Sequence, residues 1–138
     1  MAMSSVNNHK KRPISPFMIG PYYRPQLTSM TSIAHRISGL ILAIGGLFLA
    51  IWLQVTSLGP EAFECFSEYA GGPLGFTFGL ILLITLIYHF FNGIRHLFWD
   101  IGWGLDIRKA YRNGWIVIGV TITASLLLSI FIWMRLSA

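Results

Sequence analysis

An imidazole stands near the end of an apolar run that is otherwise free of charge: Thr85-Leu86-Ile87-Tyr88-His89-Phe90-Phe91-Asn92-Gly93-Ile94-Arg95-His96-Leu97-Phe98-Trp99-Asp100. An ionisable group at membrane depth is costly to keep and marks a functional site by default. His89 and His96 fall near one face of a helix, because two turns take about 7.2 residues. Gly93 lies one turn from His89, where a flat group can approach the backbone. This pattern suggests a bound cofactor. A neutral imidazole with a free nitrogen is a common axial ligand of haem iron. His89 and His96 come off the same helix with no haem-sized gap between them, so a second iron ligand would have to come from another chain. Spacing alone leaves the alternative open, a histidine hydrogen-bonded to a neighbouring helix.

Two further clusters carry chemistry. Ser29, Ser32, His35, Arg36 and Gly39 lie at the start of an earlier apolar stretch. Ser32 and Arg36 are helix neighbours at i and i+4, as are His35 and Gly39. A hydroxyl beside a guanidinium at the membrane boundary can hydrogen-bond a quinone, and His35 and Arg36 can pair with haem propionates. Helix capping by serine and topological anchoring by arginine account for the same residues. The other cluster is Arg95, His96, Asp100 and Asp106. A local His96–Asp100 ion pair is available at i and i+4, and Arg95 is expected to snorkel to the interface. Trp99, Trp103 and Tyr111 read as an interfacial aromatic belt.

The elements that must hold these residues follow from composition. Of 138 residues, 54% are hydrophobic and 11% charged, against about 25% charged in a soluble domain. The expected fold is an all-α membrane protein with three transmembrane helices, over about residues 32–58, 74–99 and 114–134. Each approaches the ~20 residues that cross a hydrocarbon core of ~30 Å. The helical rise puts His89 roughly 21 Å from Gly75 and roughly 16 Å from Asp100, inside the bilayer and nearer the basic side. Residues 1–31 form an arm and interfacial segment, and 32–138 the membrane domain. Pro13, Pro16, Pro21 and Pro25 make a regular helix unfavourable in the arm. No cleavable signal is expected, since the first 30 residues lack its apolar core.

Lys10, Lys11, Arg12, Arg24 and Arg36 precede or open the first span, and Arg108, Lys109 and Arg112 follow the second. The connection from Gly59 to Pro73 reads as a loop with Glu61, Glu64 and Glu68 and no Lys or Arg. This alternation places the N-terminus and second loop in the cytoplasm or a mitochondrial matrix. It also explains the net charge of +5 without nucleic acid as a partner. The lone Cys65 excludes an intrachain disulfide and a protein-held iron–sulfur cluster. There is no dinucleotide fingerprint.

Arg12-Pro13-Ile14-Ser15-Pro16, then Ser32-Ile33-Ala34-His35-Arg36-Ile37-Ser38-Gly39, resemble the "RPxSP … S-I-x-H-R-x-[ST]-G" signature of the cytochrome b subunits of succinate dehydrogenase, respiratory complex II. His89 to Asp100 resembles their second signature, "H-x-x-N-G-I-R-H-L-x-W-D". The two motifs fall in order on the expected spans, and the resemblance covers nearly the whole chain. Phe17 departs from the pattern, which commonly has histidine after Ser-Pro.

The resemblance implies a membrane-anchor subunit of succinate:ubiquinone oxidoreductase, not catalytic alone. It would pass electrons from succinate to quinone. It implies haem b shared with a second small membrane-anchor subunit, with His89 as an axial ligand. Ser32 and Arg36 would line the ubiquinone site, and His35, Arg36 and His96 would lie near the haem propionates. Flavoprotein and iron–sulfur subunits are the implied partners, and membrane lipid surrounds the spans. The expected location is a bacterial inner membrane, in preference to the mitochondrial inner membrane. The competing readings are a fumarate reductase or quinol oxidase anchor, and a non-redox scaffold or small transporter.

Overall fold

The computed structural model describes residues 25–137, and all regular structure among them is helical. Four helices follow in order: α1 (Leu27–Ser57), α2 (Pro60–Ala70), α3 (Pro73–Asp100) and α4 (Ile107–Leu136). The basic arm, including Arg12-Pro13-Ile14-Ser15-Pro16 and Phe17, lies outside the described residues. α1, α3 and α4 are long and apolar enough to cross a membrane. An α-helix suits such runs because it satisfies every backbone group within the segment, where no water is available. At 31, 28 and 30 residues these helices reach roughly 42–46 Å, so their ends project beyond the hydrocarbon core.

α1 begins at Leu27, ahead of the apolar run that starts near residue 32. The stretch expected as a loop from Gly59 to Pro73 folds as α2, with Pro60 in its first turn and Glu61 beside it. Proline suits that position because the missing N–H would have no helical partner, and a carboxylate there complements the helix dipole. α3 also opens on a proline, Pro73.

α3 ends by design of its sequence. Gly102 takes φ +80°, its N–H bonds Trp99 O at 2.9 Å and the Trp103 N–H bonds Phe98 O at 2.9 Å. This is a Schellman motif, which requires a left-handed residue that glycine adopts without a Cβ clash. The Phe98 and Trp103 rings meet at 5.1 Å and supply the apolar contact that accompanies it.

α3 packs against α1 on one side and α4 on the other, while α2 bridges the far ends of α1 and α3. The packing is inverted relative to a water-soluble protein. The buried polar residues are Thr31, Ser38, Asn92, Arg95, Thr121 and Ser125, against three buried apolar ones, Ile87, Ala110 and Val117. Large side chains such as Leu47 and Leu53 face outward, 62% and 55% exposed. Lipid tails are as apolar as leucine, so nothing drives leucine inward, whereas a polar side chain facing lipid is costly.

Candidate functional site

Three imidazoles from two helices meet near the basic end of the bundle. His35 of α1 stacks on His89 of α3, with centroids 4.0 Å apart and planes 14° apart. His96, two turns along α3, approaches the other side of His35 at 5.0 Å. The rings fit because both helices carry glycine opposite them. A Cβ on Gly39 would lie 3.3 Å from His89 Cε1, and one on Gly93 would lie 3.7 Å from His35 Cε1. The flat group beside Gly93 is thus the ring of His35 from the same chain.

Ser38 sits between His89 and the backbone of α1. Its Oγ lies 2.7 Å from the His35 carbonyl and 2.9 Å from His89 Nδ1. A hydroxyl has one hydrogen. Donated to the carbonyl, that hydrogen leaves Oγ as the acceptor for Nδ1–H. His89 is then the Nδ1–H tautomer, with its Nε2 lone pair free. An imidazole anchored at one nitrogen and open at the other is the form that binds metal. His35 Nδ1 and His96 Nε2 are buried without a hydrogen-bond partner, so two more imidazoles beside His89 retain unused polar atoms. This donor set suits a haem iron at His89, with polar groups of the macrocycle nearby.

Next to His96 on α3 lies the one buried charge among the described residues. Arg95 is 4% exposed. Its Nη1 donates to Thr31 Oγ1 at 2.9 Å and Asn92 Oδ1 at 3.3 Å, and its Nη2 to Ala110 O at 3.2 Å. The guanidinium sits 4.0 Å over the Trp99 ring, a cation–π contact that gains strength away from water. The expected snorkelling of Arg95 is therefore replaced by burial among three helices. Thr31 draws more than this one bond. Its carbonyl accepts from Tyr88 Oη at 2.8 Å and from Asn92 Nδ2 at 3.3 Å.

The structure brings His35, His89 and His96 together. Ser32 is half-buried and Arg36 exposed on the same turns of α1, with Ser32 about 100° round the helix from Thr31. His96 turns its ring edge to Trp99 at 5.1 Å, and Asp100 is exposed. Sequence reasoning passed over Ser38, Thr31, Tyr88 and Asn92. Ser38 had a signal: a hydroxyl position three residues after His35, and so on its face of the helix. The interhelix bonds of the other three had none, since each joins residues far apart in sequence.

Comparison with known proteins agrees with this geometry. The model of the family described as succinate dehydrogenase/fumarate reductase transmembrane subunit matches residues 8–128. The chain is 35% identical to the succinate dehydrogenase cytochrome b560 subunit of Reclinomonas americana, over 88% of this chain and 87% of the relative. It is 35% identical to the cytochrome b556 subunit of Rickettsia felis, over 96% and 99%. For the cytochrome b556 subunit of Paracoccus denitrificans the figures are 36%, over 90% and 95%. The chain belongs to the family of succinate dehydrogenase/fumarate reductase transmembrane subunits, as a multi-pass cytochrome b subunit of a bacterial inner-membrane oxidoreductase complex that is not catalytic alone.

Proposed function

We propose that this chain anchors succinate:ubiquinone oxidoreductase in the membrane, holds haem b through His89 Nε2, and helps form the quinone-reduction site with Ser32 and Arg36. The observation that carries the reading is the Ser38–His89 pair at 2.9 Å, which occupies Nδ1 and leaves Nε2 for the iron. The relatives' names, cytochrome b556 and b560 subunits of succinate dehydrogenase, support the same cofactor. The second iron ligand comes from a second small anchor subunit. His35, Arg36 and His96 would hold the haem propionates; His35 Nδ1 and His96 Nε2 have no other hydrogen-bond partner among the described residues. Flavoprotein and iron–sulfur subunits oxidise succinate, and the basic arm and the α3–α4 connection lie on the cytoplasmic side.

Bound haem b supplies an iron that accepts and releases one electron at a time near the quinone. The chain's own residues do the rest. Ser32 donates a hydrogen bond to a quinone carbonyl oxygen, and Arg36 balances negative charge as that oxygen is reduced. The apolar walls of α1 and α3 exclude water, which strengthens both interactions. Ser38 and Gly39 keep His89 oriented and unobstructed.

The test uses the purified whole complex. His89→Leu is expected to abolish the reduced haem b spectrum, and an unchanged spectrum at full haem occupancy rules His89 out as a ligand. Ser32→Ala and Arg36→Ala are expected to impair quinone reduction while succinate oxidation by a soluble dye continues. Normal quinone kinetics in both variants would refute the quinone assignment.

A further inference from the structure

The buried hydrogen bonds of Arg95, Tyr88 and Asn92 converge on one residue, Thr31, which precedes Ser32. We propose that Arg95 and Thr31 are positioning residues for quinone reduction: they lock the rotation of the first turns of α1 and so aim Ser32 and Arg36 at the quinone. The proposal rests on the quinone reading above and names the device that orients its residues.

The geometry supports a lock specific to this turn. The Thr31 hydroxyl donates toward the carbonyls of Leu27 at 3.0 Å and Thr28 at 3.1 Å, while its oxygen accepts from Arg95 Nη1 at 2.9 Å. The hydroxyl thus ties the guanidinium to the opening turn of α1. Tyr88 and Asn92 hold the Thr31 carbonyl from α3, and Arg95 Nη2 ties the same cluster to α4 at Ala110. Asn92 is fully buried and Thr31 is 4% exposed, so water cannot substitute for any of these bonds.

A helix transmits such a constraint. Successive residues are about 100° apart round the axis, so holding Thr31 from two other helices fixes the azimuth of Ser32, and Arg36 one turn later follows. The need is plain from their environment. Ser32 is half-buried and Arg36 exposed, and no other described interhelix hydrogen bond holds the α1 turns before them. A quinone site requires its donors placed to within fractions of an ångström of their productive positions, and small misplacements cost orders of magnitude in rate.

The experiment measures quinone kinetics, haem spectrum and dye-linked succinate oxidation on the assembled complex. Thr31→Val keeps shape and removes the hydroxyl, and Thr31→Ser restores it. Thr31→Val is expected to raise the quinone KM about fivefold to tenfold with haem content unchanged, and Thr31→Ser to return it to normal. With Ser32→Ala already in place, adding Thr31→Val should cause a smaller further loss than Thr31→Val causes alone, because only the aim of Arg36 remains to be lost. A normal KM for Thr31→Val, or full additivity in the double variant, overturns the proposal. If Arg95→Gln prevents assembly, the threonine pair decides alone. Should Ser32→Ala change quinone kinetics and Thr31→Val not, the positioning role fails and the quinone site stands. If Ser32→Ala itself leaves quinone kinetics normal, the quinone reading fails.

Discussion

The two ends of this bundle are held together by different physics. At the basic end, α1, α3 and α4 meet through polar groups: Arg95, Asn92, Tyr88 and Thr31, with the Ser38–His89 pair beside them. At the acidic end, where α2 carries Glu61, Glu64 and Glu68, contact is apolar. Phe48 and Phe78 rings lie 4.9 Å apart, and Gly45 meets the Leu82 side chain. An apolar contact in lipid specifies little, because lipid can replace either partner. A buried hydrogen bond specifies register and rotation, because its loss leaves unpaired groups that nothing in the hydrocarbon can satisfy. The chemistry is placed at the end where geometry is fixed.

Substitutions at each end should separate these modes. The largest effect is expected for Arg95→Ala, which removes three buried hydrogen bonds at once and leaves Asn92 Oδ1 unpaired. A loss of about 3 kcal/mol, read by denaturing-detergent titration of the solubilised complex, should come with poor assembly. A loss below ~1 kcal/mol would mean that the polar end is no more specified than the apolar one. Next comes Ser38→Ala, which frees His89 Nδ1. Haem retention should fall about tenfold to a hundredfold, the usual cost of removing a group that orients a metal ligand, while the helices stay folded. Measuring haem loss to a competing acceptor protein checks it, and unchanged retention would remove Ser38 from the site.

At the apolar end the effects shrink. A Cβ at Gly45 would lie 2.6 Å from Leu82 Cδ2, the movable end of a side chain. Gly45→Ala should cost about 1 kcal/mol and leave the haem spectrum and quinone kinetics unchanged. Changed quinone kinetics would show that the two ends are coupled. The smallest effect is expected for Leu47→Ala on the outward face. In a water-soluble core such a truncation costs about 2–5 kcal/mol; here it should cost under ~0.5 kcal/mol, because lipid fills the space. A larger loss would mark Leu47 as covered by a partner subunit.

The same contrast explains what the sequence could disclose. The three spans were legible because hydropathy reports a helix's surroundings, and most of these side chains face lipid. His89 was legible as an isolated imidazole in an apolar run, and Gly93 as a place where a flat group approaches; Gly39 was legible only as the i+4 neighbour of His35. The opening of α1 was harder to read: Thr28, Ser29 and Thr31 look like a polar boundary, yet Thr31 is interior. α2 was obscured by its three glutamates, although Pro60 and their spacing were compatible with a short amphipathic helix. Arg95 was misread because local sequence argues for a boundary cation. Only Asn92 among its acceptors is local; the others are Thr31, far upstream, and Ala110 on the next helix, and no local pattern announces those two.

The burial of Arg95 also bears on how the chain is made. During synthesis α3 reaches the membrane with an arginine and two histidines in it; inserting an arginine costs about 2.5–3.5 kcal/mol at mid-helix and less toward an end, where Arg95 lies. Thr31 belongs to α1 and has already emerged, so its hydroxyl and carbonyl await Arg95 and Asn92 as α3 arrives. Ala110 follows fifteen residues after Arg95 and closes the set. Ribosomal order therefore supplies each acceptor about when its donor needs it, and a chain with α1 deleted would present α3 to the translocation machinery with that cost unrelieved.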